Sequence, residues 1–214
     1  IIEAMTKAVD QNKVQLNFSD SVQEINKVED GYEVVTKSGK HFFFFFFVTT
    51  GSTPKFWKSL KSLGLKIVNP VPSLFTFNCK DPRIDGLMGI SFENAEVKIN
   101  QFKLDAEGPM LITHWGFSGP AILRLSAWGA LKLNECGYKF DIEINFVNQS
   151  KDEVISFLND KKQVDAKKNV HKNNPFDFPK RFWLSILNYC NIDEQKVYAD
   201  LSKKHLDAIA TELT

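Results

Sequence analysis

The stretch Gly108-Pro109-Met110-Leu111-Ile112-Thr113-His114-Trp115-Gly116-Phe117-Ser118-Gly119-Pro120-Ala121-Ile122-Leu123 decides the fold. Met110 to His114 reads as a strand, and Gly116 to Gly119 as a glycine-rich turn. Pro120 at a first helical position, with Gly119 before it, opens a helix to about Leu133. Upstream, short strand-like runs cover Leu74 to Asn78, Leu87 to Phe92, Glu93 to Ile99 and Gln101 to Leu104. Turn signals at Asp81-Pro82, Asp85-Gly86 and Gly108-Pro109 punctuate them. Downstream, Lys139 to Val147 alternates through Phe140, Ile142, Ile144 and Phe146. Strands this short and evenly spaced predict a compact barrel or sandwich interrupted by one helix.

After Asn148 the pattern turns helical. Ser150 followed by Glu153 is a capping box that starts a helix to about Asn159. Lys161 to Lys172 is polar and basic. Pro179 opens a helix with Phe182, Trp183, Ile186, Leu187 and Cys190 on one stripe. A short helix is expected around Val197-Tyr198. Ser202 caps a last helix whose Leu206, Ile209, Ala210 and Leu213 line up.

The first seventy residues read differently. Ile2, Met5 and Val9 have helical spacing. Val14, Leu16 and Phe18 alternate with polar residues, which predicts a strand. Ser21 to Val28, a turn at Asp30-Gly31, Tyr32 to Thr36 and a turn at Ser38-Gly39 predict a small antiparallel meander. Phe42 to Phe47 is a run of six phenylalanines followed by Val48. Such a run suits a strand buried on both faces, although six identical rings are hard to pack at interior density. A helix is expected over Phe56 to Leu63. Asn69-Pro70-Val71-Pro72 is a linker with fixed backbone angles. The fold class is therefore α+β. The expected parts are residues 1–70, a strand-rich part over 71–148 and a small helical part over 149–214.

Composition narrows the function. The 214 residues hold 27 Lys+Arg against 26 Asp+Glu, for a net charge of +1. That balance lowers the expectation of nucleic-acid binding, which favours a basic excess. A hydrophobic fraction of 43% belongs to a folded globular chain. No apolar run is long enough to span a membrane. Cys79, Cys136 and Cys190 fit neither a zinc site nor a disulfide framework, and suggest thiols in a reducing cytoplasm. With His41, the histidines His171 and His205 show no metal-ligand spacing, so no metal site is expected. His171 and His205 read as solvated surface. The opening Ile1-Ile2-Glu3 lacks both a methionine and a basic leader, so the chain is expected to be a piece of a longer one.

Two places hold combinations that suit chemistry. Val48-Thr49-Thr50-Gly51-Ser52 leaves a strand, and small residues there let backbone approach a ligand. A tight turn explains the same residues. In the segment His114 to Pro120, Ser118 and His114 suggest a nucleophile and its base. The hydrolase elbow G-x-S-x-G, however, needs glycine where Pro120 stands, and no acid partner is identifiable. Lys161, Lys162, Lys167, Lys168, Lys172, Lys180 and Arg181 form a basic region. It is a solvated face or a surface for nucleic acid or another partner.

Taken together, these pieces resemble the BaiN-like, or aminoacetone-oxidase-like, family of FAD-dependent oxidoreductases. The resemblance runs in order through Ile2 to Ile25, Val48 to Ser52, Leu65 to Phe77, Gly108 to Leu123, Lys167 to Val170, Pro179 to Trp183 and Leu201 to Lys204. It implies the middle of a flavoprotein: the end of a FAD-binding α/β domain, then an inserted barrel-like part and a small helical part. The family's G-x-G-x-x-G/A pyrophosphate loop is absent, so the chain alone is not expected to bind FAD well or to be active. By the resemblance, Val22 lies at the adenine, and Thr49, Thr50 and Gly51 lie where the chain passes the FAD. His114, Gly116, Ser118 and Gly119 form a candidate active-site loop on the insertion. The parent would act on a small molecule, with NAD(P)H as a candidate partner, and with neither nucleic acid nor membrane. One departure is Lys55-Phe56-Trp57-Lys58, which follows Pro54 where the family continues with glycines.

Overall fold

A computed structural model describes residues 1–214. The chain divides into two compact units, Ile1–Pro70 and Val71–Thr214.

In the first unit, helix α1 covers Ile2–Gln11. Strands β1 (Glu24–Val28), β2 (Gly31–Val35) and β3 (Lys40–Phe43) form an antiparallel meander in that order. Ile25 pairs with Val34, and Val34 with His41. Asp20 ties down the β2–β3 turn by accepting from the Ser38 backbone and hydroxyl and from the Thr36 hydroxyl. Helix α2 is Pro54–Ser62, with proline in its first turn. Only Ile25 and Val34 are buried here.

Two expectations fail in this unit. Val14 to Phe18 belongs to no strand, and Phe18 is 82% exposed. The alternation is there, but no neighbouring strand supplies a ladder, and an unpaired strand has no stability of its own. The phenylalanine run is not a doubly buried strand either. Pairing stops at Phe43, and Phe44, Phe45 and Phe47 are exposed.

The second unit contains the sheet β4 (Phe77–Asn78), β7 (Gly116–Ser118), β6 (Leu104–Thr113), β5 (Ser91–Ile99) and β8 (Glu143–Asn145), in that spatial order and antiparallel throughout. β5 and β6 form the long central hairpin, bulged between Phe92 and Ala95. A bulge bends a strand and raises its twist, which curls the sheet toward a half-barrel. The expected long helix is two: α3 (Pro120–Trp128) and α4 (Ala130–Glu135), broken at Gly129. A side chain at 129 would meet Leu104, Leu125 and Leu133.

Three further helices complete this unit: α5 (Lys151–Val164), α6 (Lys180–Tyr189) and α7 (Lys203–Leu213). α5 runs five residues beyond the expected Asn159. Its capping box is formed, with Glu153 accepting from the Ser150 backbone at 2.8 Å. α7 has an unusual box: Ser202 accepts from the His205 backbone, and His205 Nδ1 accepts from the Ser202 N–H at 3.1 Å. α6 and α7 are joined through two turns, at Asn191 and Lys196, and a short 3-10 helix at Tyr198–Asp200.

One core runs through sheet and helices alike, from Phe77 and Ile99 to Trp183 and Leu213. Polar groups inside it are satisfied. Trp183 Nε1 donates to Val170 O, the Tyr198 hydroxyl to Asn173 O, and Ser126 Oγ to Leu123 O while accepting from the Phe75 N–H. His171, expected at the surface, is buried instead, with Nε2 2.9 Å from Ile192 O. Its neighbours in sequence are polar, but the chain folds back over it at Ile192.

Candidate functional site

In the first unit, Val22, Thr49 and Thr50 come together around a cavity of about 620 Å3. Ile25 and Val34 of the meander, phenylalanines of the run, and Phe56 of α2 complete its wall. Gly51 adjoins the lining at φ +62°. No charged side chain lines this cavity. An anion would find neither a cation nor a glycine-rich loop there.

The candidate loop of the second unit is the β6–β7 hairpin and the start of α3. Thr113 pairs with Gly116, Ile112 with Phe117 and Leu111 with Ser118. Gly116 and Gly119 are required here. At Gly116 (φ +144°) a Cβ would lie 2.2 Å from Phe77 O; at Gly119 (φ +102°) it would lie 2.8 Å from Pro109 O. These glycines therefore let the hairpin press against β4 and β6. The Trp115 indole N–H donates to the Thr76 hydroxyl at 3.2 Å. His114 Nδ1 lies 3.0 Å from Met88 Sδ, and Arg181 donates to the Gly86 carbonyl of the turn that carries Met88. The structure does not join His114 to Ser118 by a hydrogen bond, and Ser118 is half-buried within a strand. This geometry is a rigid structural corner and lacks the nucleophile–base contact that acyl transfer needs.

Sequence reading missed a second concavity, which lies in the second unit. It measures about 930 Å3 and sits between β4, β8 and the helices α6 and α7. Phe75, Phe77, Tyr138 and Phe140 wall one side. Arg83 stands at its mouth, donating to both oxygens of Asp81 and, at 2.7 Å, to Glu212. The guanidinium holds the Asp81 carboxyl below the usual carboxylate range, and the two carboxylates raise Arg83 in turn. Cys79, also in the lining, is pushed up by burial. Burial likewise pushes the Cys190 thiol up to about 12, so it is no ready nucleophile.

The basic region is largely engaged. Asp165 bridges Lys161 and Lys168, and Lys162 donates to Leu201 O. Residues 149–214 hold 11 Lys+Arg against 10 Asp+Glu. No group of three His, Cys, Asp or Glu side chains is arranged so that it could hold a metal ion. No helix is long and apolar enough to cross a membrane.

These features define a class: in one unit an α+β half-barrel backed by helices and holding a ligand-sized cavity, and in the other a small meander. A family model described as the HI0933-like protein barrel and H2TH domain matches residues 71–214, the whole of the second unit. The chain belongs to that family, which is FAD-associated and of the flavoprotein oxidoreductase type. No curated protein matches the chain.

The residues present fit one end of FAD. The uncharged cavity at Val22, Thr49 and Thr50 suits the adenine ring, and nothing lining it suits the pyrophosphate.

Proposed function

We propose that this chain is the central portion of a FAD-dependent oxidoreductase. In this reading the first unit contributes the adenine side of the flavin site, and the second is an insertion covering the substrate side. The observation that carries the reading is the family match over 71–214. The uncharged lining at Val22, Thr49 and Thr50 supports it. Bound FAD would supply the hydride chemistry through its isoalloxazine. The chain's own residues bind and shape: Val22, Thr49 and Thr50 would hold the adenine, with Gly51 allowing close backbone approach. The glycine-built corner at His114, Gly116, Ser118 and Gly119 would present a fixed surface on the insertion. The substrate is a small molecule in the cytoplasm, and NAD(P)H is the candidate electron donor.

The test is the gene product that includes a glycine-rich nucleotide loop ahead of these residues. It is expected to purify with the flavin absorption bands. Protein that is colourless and takes up no added FAD overturns the proposal. The chain alone lacks a pyrophosphate cradle, so it is expected to bind FAD weakly and to show no activity. Saturation by FAD in a micromolar titration would contradict that.

A further inference from the structure

The aromatic cavity of the second unit has no role in the flavin reading, and its lining selects a ligand. At about 930 Å3 it is the size of a small-molecule site. Four rings make a continuous wall. Tyr138 meets Phe75 edge-on at 5.6 Å, Phe75 meets Phe77 at 6.0 Å, and Phe77 meets Phe140 edge-on at 4.9 Å.

The charges point one way. Asp81, Asp141, Glu143 and Glu212 line the cavity against Arg83 and Lys151. Arg83 is already committed to Asp81 and Glu212, and Lys151 to Asp207 at 2.7 Å. Asp141 and Glu143 take part in no ion pair. In a chain of net charge +1 this one mouth is acidic. An anion is repelled there, and a neutral apolar ligand leaves the surplus uncompensated. A primary ammonium could donate to Asp141 or Glu143, but it is tightly hydrated and the rings that make up most of the wall offer no acceptor to replace the rest of its water. A quaternary ammonium is weakly hydrated, and the negative faces of aromatic rings receive it.

The geometry points to a binding site, within residues 72–214, for a quaternary ammonium ion with an apolar body. The body lies against the phenylalanines and the charged head faces Tyr138 and the carboxylates of Asp141 and Glu143. The site lies wholly in the second unit and needs no flavin, so its test stands apart from that of the flavin reading.

Calorimetric titration of the 214-residue chain with benzyltrimethylammonium, benzylammonium and benzyl alcohol separates ring, charge and body. Benzyltrimethylammonium is expected to bind saturably and about tenfold more tightly than benzyl alcohol, with benzylammonium between them. Tyr138→Leu keeps apolar volume and removes one ring. Because Tyr138 is 40% exposed, the fold survives, and affinity for the quaternary ion falls about threefold while benzyl alcohol is unchanged. The exposed pair Asp141→Asn with Glu143→Gln weakens both cations and spares the alcohol. Equal affinity for quaternary ion and alcohol overturns the inference. So do tighter binding of benzylammonium, no saturable binding of the quaternary ion, and indifference to both variants.

Discussion

The two units use apolar residues in opposite ways. Residues 71–214 bury thirty hydrophobic side chains, twenty-nine of them in one continuous core, while residues 1–70 bury two. The first unit also leaves sixteen large hydrophobics exposed in half the length, against nine in the second. A segment with that much apolar surface and so little core has the composition of an interior but buries almost none of it within itself. The lesson is that composition alone does not tell a self-sufficient domain from a piece of one. The count of apolar groups is ample in both, and only pairing and burial distinguish them.

The most severe way to break this contrast is to separate the units. Residues 71–214 alone are expected to unfold cooperatively in a thermal melt followed by circular dichroism. Residues 1–70 alone are expected to show no cooperative transition, because two buried side chains cannot offset the conformational entropy of seventy residues. A sharp melt of residues 1–70 would erase the distinction.

Matched truncations sharpen it. Leu125 is fully buried, and Leu125→Ala should cost about 2–5 kcal/mol by denaturant midpoint. Phe45, 73% exposed, removes a larger side chain on truncation, yet Phe45→Ala should stay within about 0.5 kcal/mol. Equal losses at the two positions would mean the first unit hides a core of its own.

A third probe addresses the corner of the second unit. Gly116→Ala forces a Cβ against the Phe77 carbonyl at a φ of +144°. The expected loss is about 2–3 kcal/mol in the same assay. Gly51, whose Cβ would meet nothing, should lose no more than its backbone strain when changed to alanine, about 1 kcal/mol.

The smallest effect is one of acidity. His205 caps α7 only while Nδ1 is unprotonated, and burial, with Lys196, Lys204 and Lys162 nearby, lowers it from the ordinary 6.5. The unfolded chain therefore takes up its proton first. Stability is full above about 6.5, falls as the pH drops from there to the lowered folded value, and levels off below it. The cap is worth about 0.5–1 kcal/mol. Faster amide exchange at Leu206 on acidification, abolished in His205→Gln, would show it.

Much of the second unit was legible because its signals are local. Pro120 after Gly119, Ser150 with Glu153, and Ser202 ahead of α7 are read from a few neighbouring residues, and each marks a helix start in the structure. The need for glycine at 129, where the helix breaks, was not legible, since the crowding there comes in part from Leu104 of β6, distant in sequence. The unpaired Val14 to Phe18 misled for the converse reason: its alternation describes a face, and a face says nothing of whether a neighbour exists. Of the candidate sites, Val22, Thr49 and Thr50 do gather at one cavity. The acidic aromatic cavity escaped because its parts are scattered; Arg83 and Glu212, joined by one hydrogen bond, lie 129 positions apart.

Phe146 donates its backbone N–H to the carbonyl of Leu213, and Pro72 and Thr214 border the same hollow. The opening stretch and the last helix of the strand-and-helix unit thus share one hollow. A molecule held there would bridge them and stabilise the unit by mass action as it binds, much as a peg locks two boards.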